Sequence, residues 1–146
     1  MKARGSRFTL DEAQAMLPVL QGLLERAMAA KRRVQHFDEQ IQSVKSRILL
    51  HGGLRINILD LIRQKSEHDR AMQQVKDSLA EIQAAGVQVK DLDIGLLDFP
   101  CVVNGRTILL CWKLGEKAIT HWHGLEEGFA GRKPIDERIA RAGRKN

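Results

Sequence analysis

Apolar residues in the first third of the chain recur at alternating steps of four and three. This spacing is typical of a long helix with one continuous apolar face, here called the seam. Thr9 and Glu12 have the spacing of a capping box, which predicts that the helix begins directly after Thr9. Pro18 lies inside the pattern and predicts either a kink or a separate first piece. The seam consists of Met16, Leu20, Leu23, Ala27, Ala30, Val34, Phe37, Ile41, Val44 and Ile48.

A second helical pattern follows the first and predicts a long antiparallel helical hairpin. Gly52 and Gly53 interrupt the periodicity and favour a chain reversal. Apolar positions then continue from Ile58 to Ile82, and Gly86 follows as a helix-terminating glycine.

Two polar residues, Lys65 and His68, occupy positions of the second helix where apolar residues are expected. In an antiparallel hairpin they lie opposite Phe37, Asp38 and Ile41. We expect their stems to pack while their polar ends reach acidic neighbours or solvent. The alternative is that they set the helix register or mark a ligand site.

The periodicity changes at Val87 and predicts a small antiparallel sheet. An apolar run over 96–103 is followed by Asn104-Gly105, a strong hairpin signal, and by a returning strand over 106–112. Residues 118–123 alternate as a third strand. Residues 87–89 have the composition of a further short strand, and Pro100 is expected at an edge or bulge.

These elements predict an α+β fold, with a long antiparallel helical hairpin and a small three-stranded antiparallel β-meander. Residues 1–131 form a single domain, in which 9–86 make the hairpin and 87–131 the meander and its loops. The remaining residues, 132–146, are basic and predict a loosely ordered tail with a short helix near 136–141.

Composition narrows the class of protein. The chain has 146 residues, 43% apolar and 29% charged, which suits one globular domain rather than a disordered chain. No apolar run approaches the ~20 residues that span a bilayer, and the N-terminus has no secretory signal pattern. With two cysteines and no export signal, reduced thiols and a cytoplasmic location are expected. The net charge of +6 permits contact with nucleic acid without requiring it.

Candidate chemistry is concentrated after residue 97. His121 and His123 are two residues apart on a predicted strand, so they share a face, and a nearby carboxylate would complete a zinc, iron or manganese site. The alternatives are a structural role, with one histidine bonded to the backbone and the other solvated, and acid–base catalysis without a metal.

Cys111 is either a buried core thiol or a nucleophile with His123 as its base.

Other residues of this segment have two interpretations. Trp112 and Trp122 either close a small core or line a ligand pocket. Arg106 and Arg132 either clamp a carboxylate or phosphate ligand or pair with Asp98 or Glu126 to hold loops. The glycines match no phosphate-binding fingerprint.

The segment LDIGLLDFP, followed by NGRTILLCWKLGEKAITHWHGLEEGFAGRKP, resembles the bacterial domain of unknown function family 2203. The opening FTLDEAQAMLPVL is similar to that family's N-terminus, so the resemblance covers roughly residues 7–135. It implies a fold and a region to examine, and no activity. His121 departs from the family's pattern, whereas the following four residues match it: Asp98, Glu116, His123 and Arg132.

The candidate site follows from the residue pattern and from the family resemblance together. Metal ligation is assigned to His123, Glu116 and Asp98, with a divalent transition metal as the candidate cofactor; Cys111 and His121 are the less favoured ligands. The candidate ligand-binding residues are Asp98, Arg106, Glu116, Trp122 and Arg132.

Three classes of function remain. The favoured class is a small interaction or scaffold protein that forms a homodimer through its helices, because the hairpin has more apolar seam than the sheet can cover. The second is a metal- or small-ligand-binding protein, which includes an enzyme, acting through residues 98–132. A nucleic-acid-associated protein is the least favoured, and no membrane partner is expected.

Overall fold

The structure, a computed structural model, describes residues 7–51 and 58–142. Two long helices are followed by a five-stranded sheet and a short third helix, which confirms the predicted α+β class. The proposed turn at Gly52-Gly53 lies outside the described residues. In the described part of the chain, no helix has a stretch long and apolar enough to cross a membrane. The elements are α1 (Leu10–His51), α2 (Ile58–Ala84), β1 (Gln88–Asp91), β2 (Leu96–Val103), β3 (Arg106–Lys113), β4 (His121–His123), a 3₁₀ turn (Phe129–Gly131), β5 (Lys133–Pro134) and α3 (Glu137–Arg141).

The capping box at the start of α1 is confirmed. The Thr9 N–H donates to Glu12 Oε1 at 3.0 Å, and the Glu12 N–H donates to Thr9 Oγ1 at 3.1 Å. These reciprocal bonds satisfy backbone donors that a helix N-terminus otherwise leaves open. The helix then runs unbroken through Pro18, so the first turns do not form a separate piece.

The chain divides into two compact units. The first, here called the sheet unit, comprises residues 1–25 and 79–146; the second, the helical unit, comprises residues 26–78. Both long helices contribute to each unit, because α1 spans the boundary at residue 25 and α2 spans it at residue 78.

The helical unit contains an antiparallel helix pair. The Arg33 guanidinium donates to Gln74 Oε1, and His68 Nε2 lies 2.8 Å from Asp38 Oδ1. Contacts that advance along α1 while they retreat along α2 require opposite helix directions. The polar end of His68 therefore meets the acidic neighbour that the sequence pattern predicts.

The sheet has five strands in the order β1-β2-β3-β4-β5, and every neighbouring pair is antiparallel. The prediction of three strands was therefore wrong in number. The two additional strands lie at the edges, with four residues in β1 and two in β5. β1 overlaps the short strand that the composition of residues 87–89 indicates, whereas β5 has two exposed residues and no alternation that would mark it in the sequence. Their pairing depends on backbone hydrogen bonds, which a pattern of hydrophobic residues does not reveal.

The central strands β2 and β3 are buried on both faces, since residues 96–99 and 108–112 are all buried. Phe8, just before α1, contacts Phe99 edge to face with ring centroids 5.5 Å apart, and its N–H donates to the Pro100 carbonyl at 2.7 Å. Farther along α1, Gln14 Oε1 accepts the N–H of Ile119 at 3.0 Å. The start of α1 is thus bonded to the sheet by side chain and backbone.

The segment after β4 returns to the sheet. β5 pairs with β4, and the Ile135 N–H donates to the Thr120 carbonyl at 2.9 Å. The short helix α3 begins after Asp136, whose side chain accepts the N–H of Ile139, and Ile139 is fully buried. Residues 132–142 thus contain one strand and the short helix that the sequence predicts near 136–141.

Candidate metal centre

Strand register places Asp98 and Cys111 side by side. Asn104 and Gly105 have positive φ angles of 52° and 77°, as a two-residue hairpin turn requires, and the turn pairs Val103 with Arg106. Counting back from the turn, Asp98 on β2 lies opposite Cys111 on β3. Directly opposed residues of antiparallel strands share a face, so these two side chains emerge together.

The third member of the group comes from β4. His123 Nε2 lies 3.0 Å from Asp98 Oδ1, and His123 Nδ1 lies 2.8 Å from the carbonyl oxygen of Gly124. One potential ligand atom from each of Asp98, Cys111 and His123 lies within 4.8 Å of the other two. All three residues are fully buried. We call this group the buried triad.

The hydrogen bonds of His123 determine how many protons the triad holds. A carbonyl oxygen can only accept, so Nδ1 carries a proton and donates it to Gly124. The other nitrogen, Nε2, then either donates to an ionised Asp98 or accepts from a protonated one. In both cases a proton lies between Nε2 and Oδ1, in the place where a cation bound to both atoms would replace it.

The same geometry argues against Cys111 as a nucleophile. A nucleophilic thiol needs a base within hydrogen-bond reach and a lowered pKa. Both nitrogens of His123 are already engaged, by Asp98 and by Gly124. Burial raises the pKa of the Cys111 thiol to about 12, and the negative charge of Asp98 and a side-chain hydrogen bond to Asp98 act in the same direction. A thiol in this environment stays protonated at neutral pH.

One acceptor of the triad lacks a partner. Asp98 Oδ2 is buried and has no hydrogen-bond partner among the described residues. Buried polar atoms are nearly always satisfied, because an unsatisfied one costs roughly 1–3 kcal/mol. The orphaned oxygen beside a thiol and an imidazole is therefore a specific indication that the group binds something.

Glu116 and Arg132, two of the predicted site residues, pair with each other instead of joining the triad. Arg132 Nη2 lies 2.9 Å from both carboxylate oxygens of Glu116 and 3.5 Å from the carbonyl oxygen of Cys111. Glu116 Oε1 also accepts the Lys113 N–H at 2.7 Å, and the Glu116 carbonyl accepts the indole N–H of Trp112 at 2.9 Å. This pair fixes the turn after β3 and the end of the strand that carries Cys111.

The remaining candidates lie apart from the triad. His121 shares the face of Cys111, but its Nδ1 lies 2.8 Å from Thr120 Oγ1 and its side chain is half-buried. Arg106 and Trp122 line a cavity described below. The structure thus brings together Asp98 and His123 from the predicted metal set, with Cys111 in the place where the sequence pattern favours Glu116.

The register of the hairpin is the signal that points to Cys111. A two-residue turn at Asn104-Gly105 determines every cross-strand partner in β2 and β3, so Cys111 can be found by counting outward from the turn. The sequence favours Glu116 instead because Glu116 matches the family's pattern, and because a cysteine in an apolar run is most often a buried core thiol.

The donor set of the triad suits a transition metal of intermediate softness. Thiolate, imidazole and carboxylate together are ligands of zinc, with bonds of about 2.0–2.3 Å. The Nδ1 bond of His123 to a backbone carbonyl is the usual way in which a metal-binding histidine is oriented with Nε2 toward the ion. Three protein ligands leave one coordination position of a tetrahedral ion open.

Fold and site define an α+β protein with a long helix pair and a five-stranded antiparallel sheet that encloses a buried Asp–Cys–His group. The model of the family described as uncharacterized conserved protein (DUF2203) matches residues 6–135, and the chain belongs to this family. No curated protein and no solved structure matches the chain.

Proposed function

We propose that this protein binds one divalent transition metal ion, zinc in preference to others, through Asp98, Cys111 and His123. The observation that carries the proposal is the orphaned Asp98 Oδ2 inside a fully buried group of three ligand types. A cation there would satisfy the free oxygen, replace the proton between His123 and Asp98, and hold the thiol as thiolate. Because the three ligands come from β2, β3 and β4, the ion would join three neighbouring strands.

The two cysteines provide a matched pair of variants. Cys101 and Cys111 are both buried, neither is in a disulfide, and both lie in the sheet, but only Cys111 belongs to the triad. We expect tag-free protein to contain about one zinc per chain and Cys111→Ala to bind zinc at least about tenfold more weakly, as loss of a ligand predicts. Cys101→Ala should retain the affinity of the unaltered protein. Elemental analysis and competition with a chelator measure both quantities.

Cobalt substitution identifies the ligand itself. A thiolate bound to Co²⁺ gives a ligand-to-metal charge-transfer absorption, which should appear in the unaltered protein and in Cys101→Ala and be lost in Cys111→Ala. Equal zinc content in the two cysteine variants, or no zinc after incubation of the metal-free protein with it, would overturn the proposal.

A second candidate function, self-association, is supported by the helical unit. Five large apolar side chains of this unit, at the end of α1 and the start of α2, are 59–85% exposed, and groups of exposed apolar residues are typical of interaction surfaces. They are Leu49, Leu50, Ile58, Leu59 and Ile62. We infer that a second copy of the chain covers them, which would make the protein a homodimer with the interaction role that the seam predicts.

Light scattering coupled to size-exclusion chromatography tests this second function. The unaltered chain should elute with the mass of a dimer at micromolar concentration, and a Leu59→Ser/Ile62→Ser variant with the mass of a monomer. A Val19→Ser variant is the control, because Val19 is also 61% exposed but lies in the sheet unit. A monomeric unaltered chain would rule out self-association while leaving the metal proposal untouched.

A further inference from the structure

A cavity of about 690 Å³ lies in the sheet unit, apart from the side chains of the buried triad. It is lined by the start of β3, the indole of Trp122 and the segment that follows β4. Its volume falls in the range of about 300–1,000 Å³ that is typical of sites for small molecules. The size favours a small ligand over a macromolecular partner.

The cavity combines an apolar wall with a flat aromatic side chain. Val103 and Ile108 are buried residues of its lining, and Trp122 is half-buried beside them. Lys133 Nζ lies 4.7 Å from the centroid of the Trp122 ring, and the guanidinium carbon of Arg138 lies 5.9 Å from it. The cavity therefore offers planar and apolar surface with cations close to it.

Some of the charges in the lining neutralise each other. Lys133 Nζ lies 2.5 Å from Glu127 Oε1, which also accepts the Gly124 N–H at 3.0 Å. These bonds lower the pKa of Glu127, with the bond to Lys133 as the main cause, so the carboxylate stays ionised. This pair contributes no net charge to the cavity.

Of the two cations of the lining that remain, Arg106 and Arg138, Arg106 is the less engaged. It is exposed at the end of the hairpin, and among the described residues no carboxylate pairs with it. Arg138 has only a loose contact with Asp136, at 3.7 Å. Glu126 also lines the cavity without an ion-pair partner in the described chain, so it opposes an anion there. The lining as a whole contains three cations, Arg106, Lys133 and Arg138, and two carboxylates, Glu126 and Glu127, so its net charge of +1 attracts an anion.

We propose that this cavity binds a small planar molecule that carries a phosphate or carboxylate group. Arg106 and Arg138 would pair with the anionic group, for which the planar guanidinium is suited. The ring of the ligand would lie against Trp122 and the apolar wall. The site is independent of the proposed metal ion, because no side chain of the triad lines the cavity.

Isothermal titration calorimetry of the full chain tests the proposal with four probes. Adenosine 5′-monophosphate and benzoate each combine a ring with an anion, whereas adenosine has only rings and inorganic phosphate only charge. We expect at least one of the first two probes to bind with a Kd below about 1 mM, and the matching partial probes to bind at least about tenfold more weakly. Binding of the nucleotide alone would identify a phosphate ligand, and binding of benzoate alone a carboxylate ligand.

Two substitutions of opposite sign test the charges. Arg106→Gln should weaken binding about tenfold or more, because it removes the unpaired cation, whereas Glu126→Gln should strengthen binding a few-fold. Arg63→Gln, in the exposed part of the helical unit, is the control and should have no effect. Arg106 and Glu126 are both exposed, so neither change removes a core contact, and circular dichroism checks the fold.

The proposal fails if neither anionic ring compound binds with a Kd below about 1 mM. It also fails if Arg106→Gln binds as tightly as the unaltered chain. Zinc content and cobalt absorption of the same variants should be unchanged, which separates failure of this proposal from failure of the metal site.

Discussion

The two units of this protein each contain a histidine–aspartate pair, and the pairs differ in their surroundings more than in their geometry. His123 and Asp98 in the sheet unit are 3.0 Å apart, and neither side chain is exposed. His68 and Asp38 in the helical unit are 2.8 Å apart, with 20% and 60% of their side chains exposed. The exposed pair keeps much of its hydration, whereas the buried pair depends wholly on its protein partners. Nearly equal contact distances therefore correspond to unequal consequences for stability and chemistry.

The seam of α1 shows the same contrast between the units. Leu20 and Leu23 in the sheet unit are buried, and so are Ala27 and Ala30 directly after the boundary, whereas Val34, Ile41 and Val44 farther along the helical unit are only half-buried. The periodicity is the same, so it does not determine the degree of burial. In the sheet unit the helices and a sheet with buried central strands share one core, whereas the helical unit contains two helices alone. Two helices cannot enclose a broad apolar face, which leaves part of the seam available for a partner.

The largest effect is expected from His123→Ala in metal-free protein. Removal of one partner leaves Asp98 buried without its hydrogen bond, and such losses cost roughly 3–5 kcal/mol of unfolding free energy. Urea denaturation followed by the fluorescence of Trp112 and Trp122 reports on this unit, which contains both tryptophans.

A double variant shows whether that loss belongs to the pair. Asp98→Ala/His123→Ala should be less destabilised than the two single variants added together, because it leaves neither member of the pair buried without the other. Additive losses would mean that Asp98 and His123 do not depend on each other, and the contrast between the two pairs would then disappear.

The sequence predicted the local features of the fold because neighbouring residues determine them. Thr9 and Glu12 cap α1, and Asn104-Gly105 turns the hairpin, through contacts between residues close together in the chain. Gly86 has the expected positive φ, at 90°. Of the two edge strands, β1 was predicted in part and β5 was not. β5 has only two exposed residues, and its pairing to β4 depends on the path of the intervening loop.

The site was predictable in part for the same reason. The pairing of Asp98 with Cys111 follows from a tight turn and is accessible by counting, whereas the approach of His123 depends on the loop over 114–120, which no local pattern determines. The pairing of Glu116 with Arg132 depends on the path of the segment after β4. Sequence thus indicated the residue types and the region, and the tertiary structure determined which of them meet.

The next largest loss of unfolding free energy is expected from alanine substitutions in the seam, which allow the two units to be compared. Leu20→Ala removes a fully buried side chain and should cost about 2–5 kcal/mol of unfolding free energy. Ile41→Ala, at a half-buried position of the same helix, should cost about 1 kcal/mol at low protein concentration, because less apolar surface returns to water. Urea denaturation followed by far-ultraviolet circular dichroism measures both. Equal losses would show that the seam of the helical unit is already as well packed as that of the sheet unit.

A smaller effect is expected at the cap of α1. Thr9→Ala removes the hydroxyl that accepts the Glu12 N–H, and loss of such a cap costs about 1 kcal/mol. Thr9→Ser keeps the acceptor and should retain most of the stability, which separates the cap from any general effect of substitution. The same denaturation measurement applies. If the alanine and serine variants were equally destabilised, the hydroxyl would not be the stabilising group.

The smallest effect is expected from His68→Ala. Its partner Asp38 is largely exposed, and ion pairs of this kind contribute about 0–1 kcal/mol. The contribution of this ion pair to the unfolding free energy should diminish between low salt and about 1 M salt, because charges are then screened over roughly 3 Å. The loss from His123→Ala should change little, because that pair is buried. Denaturation of both variants at the two salt concentrations measures the difference. The loss from His68→Ala could instead exceed about 2 kcal/mol and rise with protein concentration. That result would mean that a second chain buries this pair through self-association.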